Sequence, residues 1–226
     1  MLFLFHNYFV ILRTETNKAK YMMKTRSLLT ILFCCLAAVC VTSCLKNDDD
    51  NNSSQALTKA EIAQCYMTVG GNYTGDLLYL TTSADDMTED VDTLVGKWNI
   101  PTDSTLIITD FPSKVLAEYV SYPGLKEALA EAPDQVIKCR IQFVEKSPVQ
   151  FLVNPYVLEY TLHYGDGDHL VRVAFYINNI YSFGTFDATT RELMVKIIPG
   201  ALYVDGQETS YFTPSQIVFV SKKSNS

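Results

Sequence analysis

Tyr156-Val157-Leu158-Glu159-Tyr160-Thr161-Leu162-His163-Tyr164, then Gly165-Asp166-Gly167-Asp168, then His169-Leu170-Val171-Arg172-Val173-Ala174-Phe175-Tyr176: this stretch decides the fold class. Apolar and polar residues alternate on both sides of a Gly-Asp-Gly-Asp turn, the signature of a β-hairpin. Tyr156, Leu158, Tyr160, Leu162 and Tyr164 share one face, as do Val171, Val173 and Phe175 on the return strand. Placing Tyr164 opposite His169 sets Leu162 against Val171, Tyr160 against Val173 and Leu158 against Phe175. A slip of one residue would turn every apolar side chain to water, so this register is the sequence expectation. It puts Arg172 diagonal to Glu159 as a surface ion pair, and His163 and His169 on opposite faces.

The same period of two recurs on either side. Tyr73, Gly75, Leu77 and Tyr79 share a strand face, and Ile137, Cys139, Ile141 and Phe143 alternate with Lys138, Arg140 and Gln142. Strands are expected over Thr93 to Ile100 and Ser104 to Phe111, joined through Pro101-Thr102-Asp103. Further strands fall over Ile180 to Asp187, Leu193 to Ile198, Leu202 to Val204 and Gln216 to Ser221. Between them, Ser113 to Val120 and a segment opening at Pro123 and ending before Pro133 read as short helices, since proline suits a first turn. A third helix starts at Leu57-Thr58-Lys59-Ala60-Glu61-Ile62. There Thr58 caps, Glu61 closes a capping box, Leu57 staples onto Ile62, and Ile62, Cys65, Tyr66 and Val69 form one face that ends at Gly70 and Gly71. Eight to ten strands joined by short turns imply a mainly β fold, an antiparallel β-barrel or half-barrel or alternatively a β-sandwich, with about three short helices.

The first 56 residues are of a different kind. Lys24 and Arg26 precede an apolar stretch from Leu28 to Val41, and Val41-Thr42-Ser43-Cys44 closes it, the arrangement of a lipoprotein signal with Cys44 as the acylated residue. The apolar stretch is shorter than the 18–20 or so residues that span a bilayer. Met22 and Met23 stand just before the basic residues, so residues 1–21 read as an upstream segment. The expected organisation is an upstream segment and signal over 1–43, lipidated Cys44 and an acidic tether rich in Asn and Asp over 44–56, one β-rich domain over 57–221, and a tail over 222–226.

The whole chain carries 18 basic and 25 acidic residues, a formal charge of −7. The segment before Cys44 holds five of the basic residues and one of the acidic ones, which leaves 13 against 24 and a net charge of −11 after removal. Such a surface repels nucleic acid and suits cations, neutral sugars or basic partners. Of six cysteines, only Cys65 and Cys139 stay in the folded part, either as one disulfide or as two buried thiols.

Motifs of catalysis are missing. There is no His-Glu-x-x-His, Cys-x-x-Cys or Gly-x-Ser-x-Gly spacing, and no cofactor is implied. A hydrolase would need two carboxylates that meet only in the fold. Asp85 to Asp92 and Asp166-Gly167-Asp168 are acidic loops with a faint calcium character; the alternative is solvated turns. Trp98, Tyr73 and Tyr79 are candidates for stacking on a ligand ring, the alternative being that they build the core.

Leu57-Thr58-Lys59-Ala60-Glu61-Ile62 followed by Val69-Gly70-Gly71-Asn72-Tyr73-Thr74-Gly75-Asp76-Leu77 resembles a family of small Bacteroides-type lipoproteins with a domain of unknown function. The Gly-x-Tyr-x-Gly pattern is also similar to the opening strand of lipocalin-like barrels, with Tyr73 where those have tryptophan. Cys44 with Asp48-Asp49-Asp50 behind it resembles the signal such bacteria use for display on the outer face of the outer membrane. The resemblance implies a surface lipoprotein and transfers no site residues. Three functions are therefore expected in turn: a non-enzymatic domain binding a glycan, a small apolar ligand or a protein; an accessory subunit of an envelope complex; and, last, a hydrolase.

Overall fold

A computed structural model describes residues 56–82, 89–178 and 180–222. Helix α1 (Lys59–Val69) opens them with the expected capping box: Glu61 N–H donates to Thr58 Oγ1 while the Glu61 carboxylate accepts from Thr58 N–H. Strands β1 (Gly71–Thr82), β2 (Glu89–Thr102) and β3 (Thr105–Phe111) follow, then α2 (Lys114–Ala117) and α3 (Pro123–Ala130). After them come β4 (Gln135–Lys146), β5 (Val149–Pro155), β6 (Leu158–Tyr164), β7 (Gly167–Phe175), β8 (Phe183–Asp187), β9 (Glu192–Ile197), β10 (Pro199–Val204), β11 (Gln207–Glu208) and β12 (Ile217–Lys222).

Eight of these strands close into an antiparallel barrel in the order β1-β12-β9-β8-β5-β4-β3-β2. Neighbours in space are neighbours along the chain, apart from two excursions, so this is an up-and-down barrel interrupted twice. The excursions are β6–β7 and β10–β11, which leave the barrel and pair through β7 and β10 into a four-stranded sheet, β11-β10-β7-β6. The hairpin that gives the fold class away is thus outside the barrel it announces.

Alternation sets what fills the barrel. Tyr73, Leu77 and Tyr79 of β1, Trp98 and Ile100 of β2, and Ile137, Cys139, Ile141 and Phe143 of β4 are buried, as the period of two requires. Trp98 stacks on Tyr73 with centroids 5.8 Å apart and meets Phe219 edge-on at 5.5 Å. Phe151 lies over Gly184, where an added Cβ would come within 2.2 Å of its ring. Each fully buried Leu or Phe contributes roughly 1.5–3 kcal/mol, and the barrel strands supply Leu77, Leu106, Phe111, Phe151, Leu193 and Phe219. The strand β5 has no counterpart in the sequence expectation. Val149, Phe151 and Val153 alternate inward there and carry the signal.

Two further expectations are corrected. In the hairpin, Tyr164 pairs with Gly167, so Leu162 faces His169, Tyr160 faces Val171 and Leu158 faces Val173. The register differs by two residues, which keeps every paired side chain on its expected face; Tyr156, expected on the apolar face, lies before β6 and is exposed. The reason is the turn: only Gly165 and Asp166 lie between the paired ends, with Gly165 at φ +64°, a two-residue hairpin of the kind that matches strand twist. The shift sets Arg172 directly opposite Glu159, with Arg172 Nε donating at 2.7 Å. Of the two states left open for Cys65 and Cys139, the structure has buried free thiols packed as small hydrophobes.

Candidate binding site

The second sheet needs a cover for its apolar face, and α3 provides part of it. Tyr160, Leu162, Val171, Val173 and Leu202 are buried in one core with Leu125 and Leu129 of α3. The buried Ser113 hydroxyl donates to Pro133 O at 2.7 Å and sits 3.2 Å from the Tyr160 hydroxyl, tying the segment before α2 to β6. Burial pushes the Tyr160 phenol up to about 12. The ends of the sheet's strands therefore converge on the start of α3.

A cleft of about 260 Å³ opens where they meet. Tyr122, the residue before α3, forms one wall, and Leu125 and Val204 line the site as well. Tyr164, Gly165 and Asp166 come from the β6–β7 tip and His169 from β7. Thr209 and Tyr211 come from the segment after β11. That segment is pinned by backbone bonds, Ser121 N–H to Tyr211 O at 2.8 Å and Thr213 N–H to Tyr119 O at 2.9 Å. Tyr122 packs against Tyr211 (centroids 5.4 Å, planes 31° apart) and against Tyr164 (6.1 Å, 63°), and Tyr164 lies 4.3 Å from the His169 ring. Tyr122 and Tyr211 remain 41% and 47% exposed, so much of each ring is open to a ligand.

Polar groups sit around these rings. His169 Nδ1 and Asp205 Oδ2 are 2.8 Å apart, and Asp205 Oδ1 accepts from Leu170 N–H at 2.9 Å. The His169 contact first, then the Leu170 amide, holds the Asp205 carboxyl below its usual range. Burial first, then the Asp205 charge and the neighbouring phenols, pushes the Tyr164 hydroxyl up. With one ring nitrogen at Asp205, the imidazole has its other nitrogen for a ligand. Thr209 Oγ1 is shielded from water and has no hydrogen-bond partner. The asymmetry of such a site matters: a polar atom without a partner costs more than a formed bond gains.

The residues named from sequence are distributed otherwise. Trp98, Tyr73 and Tyr79 are 2, 3 and 5% exposed, so all three belong to the core and offer no open ring face. The Tyr79 hydroxyl donates to Asp92 Oδ2 at 2.8 Å. Asp168 is taken by His163, 2.7 Å away, and Asp166 lies at the cleft rim. Among the described residues no three His, Cys, Asp or Glu side chains gather around a common point. Cys44 and the acidic run from Asp85 to Thr88 lie outside the described residues. In the sequence Tyr164 stands out only as a strand residue of the hairpin, and Tyr122 and Tyr211 do not stand out as site residues. Their one local signal is placement beside turns: Tyr122 before Pro123, Tyr164 before Gly165, and Tyr211 five residues after Gly206.

The fold and site together define a small closed β-barrel domain with an appended sheet whose ends carry an aromatic surface cleft. The chain belongs to the DUF4840 family, a domain of unknown function whose model matches residues 68–204. No curated protein and no solved structure matches the chain. The matched segment takes in Tyr122, Tyr164 and His169 and stops before Asp205, Thr209, Tyr211 and the barrel-closing β12.

Proposed function

We propose that the chain is an exported lipoprotein, acylated at Cys44 and carried on the outer membrane or cell surface, whose domain is a non-enzymatic binding module with the tyrosine cleft as its site. The observation that supports this most is the convergence of Tyr122, Tyr164 and Tyr211 from three separate segments on one opening, with much of two rings exposed. Core tyrosines have no need of such exposure, and turns have no need of such convergence. The ionisable pair there, His169 and Asp205, is engaged with itself and with a backbone amide, as suits a binding wall. Trp98, Phe143, Phe151 and Phe219 are part of the packed core, which favours a surface site over one inside the barrel. An acidic chain favours neutral or basic ligands.

Two experiments test the reading. Palmitate supplied to growing cells is expected to label the wild-type chain and not Cys44→Ala; label entering both equally would remove the anchor. Nitration of the mature chain, mapped by peptide mass, is expected to modify Tyr122 and Tyr211 and to be slowed by envelope or glycan extracts. Rings that react equally with and without every extract would remove the cleft from the proposal.

A second reading, an accessory subunit of an envelope complex, is favoured by one specific observation. Tyr156, Val157, Tyr176, Ile177, Ile180 and Tyr181 are each 41–61% exposed. They lie on the two segments that leave β5 and β7, and paired bonds between Asn154 and Asn178 hold those segments together. Clustered apolar exposure of this kind marks partner surfaces. A photo-crosslinker placed at Ile177 should then capture one discrete envelope protein, and its failure to do so would leave the binding-module reading alone.

A further inference from the structure

We infer that the cleft takes a neutral six-membered sugar ring, a single pyranose unit at the end or edge of a longer glycan. The inference rests on the binding-module reading and specifies its ligand.

Three properties of the opening select the chemistry. Its walls are the rings of Tyr122, Tyr164 and Tyr211, backed by Leu125 and Val204, so the ligand must present apolar C–H surface. Polar groups at its margin, namely the imidazole nitrogen of His169 turned from Asp205 and the Asp166 carboxylate, ask for hydroxyls around that apolar surface. A pyranose has this layout, with C–H groups on its ring faces and hydroxyls at its edge. A purely aliphatic ligand would offer nothing to the Asp166 carboxylate and the His169 ring at the margin, which sites built around polar groups penalise.

Size and charge narrow the class. At about 260 Å³ the cleft is at the small end for ligand sites, enough for one ring and not for an enclosed oligosaccharide. Asp166 at the rim and Asp205 beside His169 make the site acidic, in a chain already at −7, so uronic and sulfated sugars are disfavoured. The competing occupant is an organic cation held over the ring faces. It is the less favoured because Asp205 already has His169 and the Leu170 amide on its two oxygens.

The test is saturation-transfer NMR on the chain from Cys44 onward with a panel of methyl pyranosides, methyl glucuronide as the anionic probe and tetramethylammonium as the cationic one. At least one neutral pyranoside should bind in the millimolar range, the affinity suited to about a dozen heavy atoms, with transfer strongest at the C–H groups of one ring face. Tyr211→Phe should bind within about twofold of wild type and Tyr211→Ala about tenfold or more weakly, because the ring face and not the hydroxyl makes the contact. Should Tyr211→Ala fail to fold, slower nitration of Tyr122 and Tyr211 in wild type at saturating pyranoside serves as the same test. Binding of tetramethylammonium lost in Tyr211→Ala, with no pyranoside bound, would overturn the sugar and leave the cleft as a cation site. Protection of the rings by envelope extract that no pyranoside competes away would likewise overturn the sugar alone. Rings unprotected by any extract or probe would overturn the binding-module reading beneath it.

Discussion

The barrel and the four-stranded sheet are built from the same alternating sequence pattern and solve opposite problems. In the barrel, β1 pairs with both β2 and β12, so no edge is left, and the inward residues of all eight strands pack on one another. In the sheet, β6 and β11 are edges, the first presenting Glu159, Thr161 and His163 to water and the second only two residues long. Short or polar edges of this kind discourage pairing with other chains. The barrel can afford little change, since every inward side chain touches several others. The sheet needs only one face packed, and its strand ends and turns are left to carry Tyr164, His169 and the Asp205 carboxylate toward Tyr122 and Tyr211. The scaffold and the site are thus segregated, and substitutions should report the segregation.

The sharpest break falls in the barrel. Phe151→Ala removes a ring with no exposed surface and is expected to cost about 3–5 kcal/mol, read by urea unfolding. A loss under about 1 kcal/mol would mean that the barrel is not the principal source of stability. Leu202→Ala, fully buried in β10, should cost about 2–4 kcal/mol. In that variant, amide exchange in β7 and β10 should quicken more than in β1 and β2. Equal acceleration in both would show one cooperative unit and dissolve the contrast. Gly165→Ala forces an L side chain to φ +64° at the cleft's own turn, and about 1 kcal/mol of destabilisation is expected in a thermal melt.

The helix before the barrel gives a pH-dependent comparison. Glu61 is held at about 2 by Lys146 first and by the Thr58 amide and hydroxyl next. A carboxylate with a folded value below its ordinary 4.5 contributes stability that is complete above that value and is lost as pH falls toward 2. Melting temperature followed over this window should fall less steeply in Glu61→Gln than in wild type, and parallel curves would refute the assignment. The smallest effect belongs to the exposed Arg172–Glu159 pair, where Arg172→Ala should change stability by under about 0.5 kcal/mol. A larger loss would mean that the sheet depends on surface charge as well as on its buried face.

How much of this was legible in the residues differs by region. The capping box at Thr58 and Glu61, the inward sets of β1 and β4, and the two faces of β6 and β7 follow from contacts within a few residues, and all were readable. The hairpin register was readable only to within two residues, because alternation fixes parity while the turn fixes the offset. Asp205-Gly206, both at positive φ, is a two-residue hairpin turn whose Asp-Gly signal was present and unread. The cleft was beyond reading: Tyr122 and Tyr211 are 89 residues apart, and a place beside a turn does not say that they meet.

By itself, then, the sequence determined which segments extend and which face of each turns inward, since propensity and periodicity are properties of neighbouring residues. Only the tertiary structure decided that β12 closes the barrel against β1 and β9, that two hairpins leave it to make a separate sheet, and that three distant tyrosines share one opening. Alternating strands of one kind can pair at many edges with nearly equal local energy, and the choice among those pairings is made by the packing of the whole core.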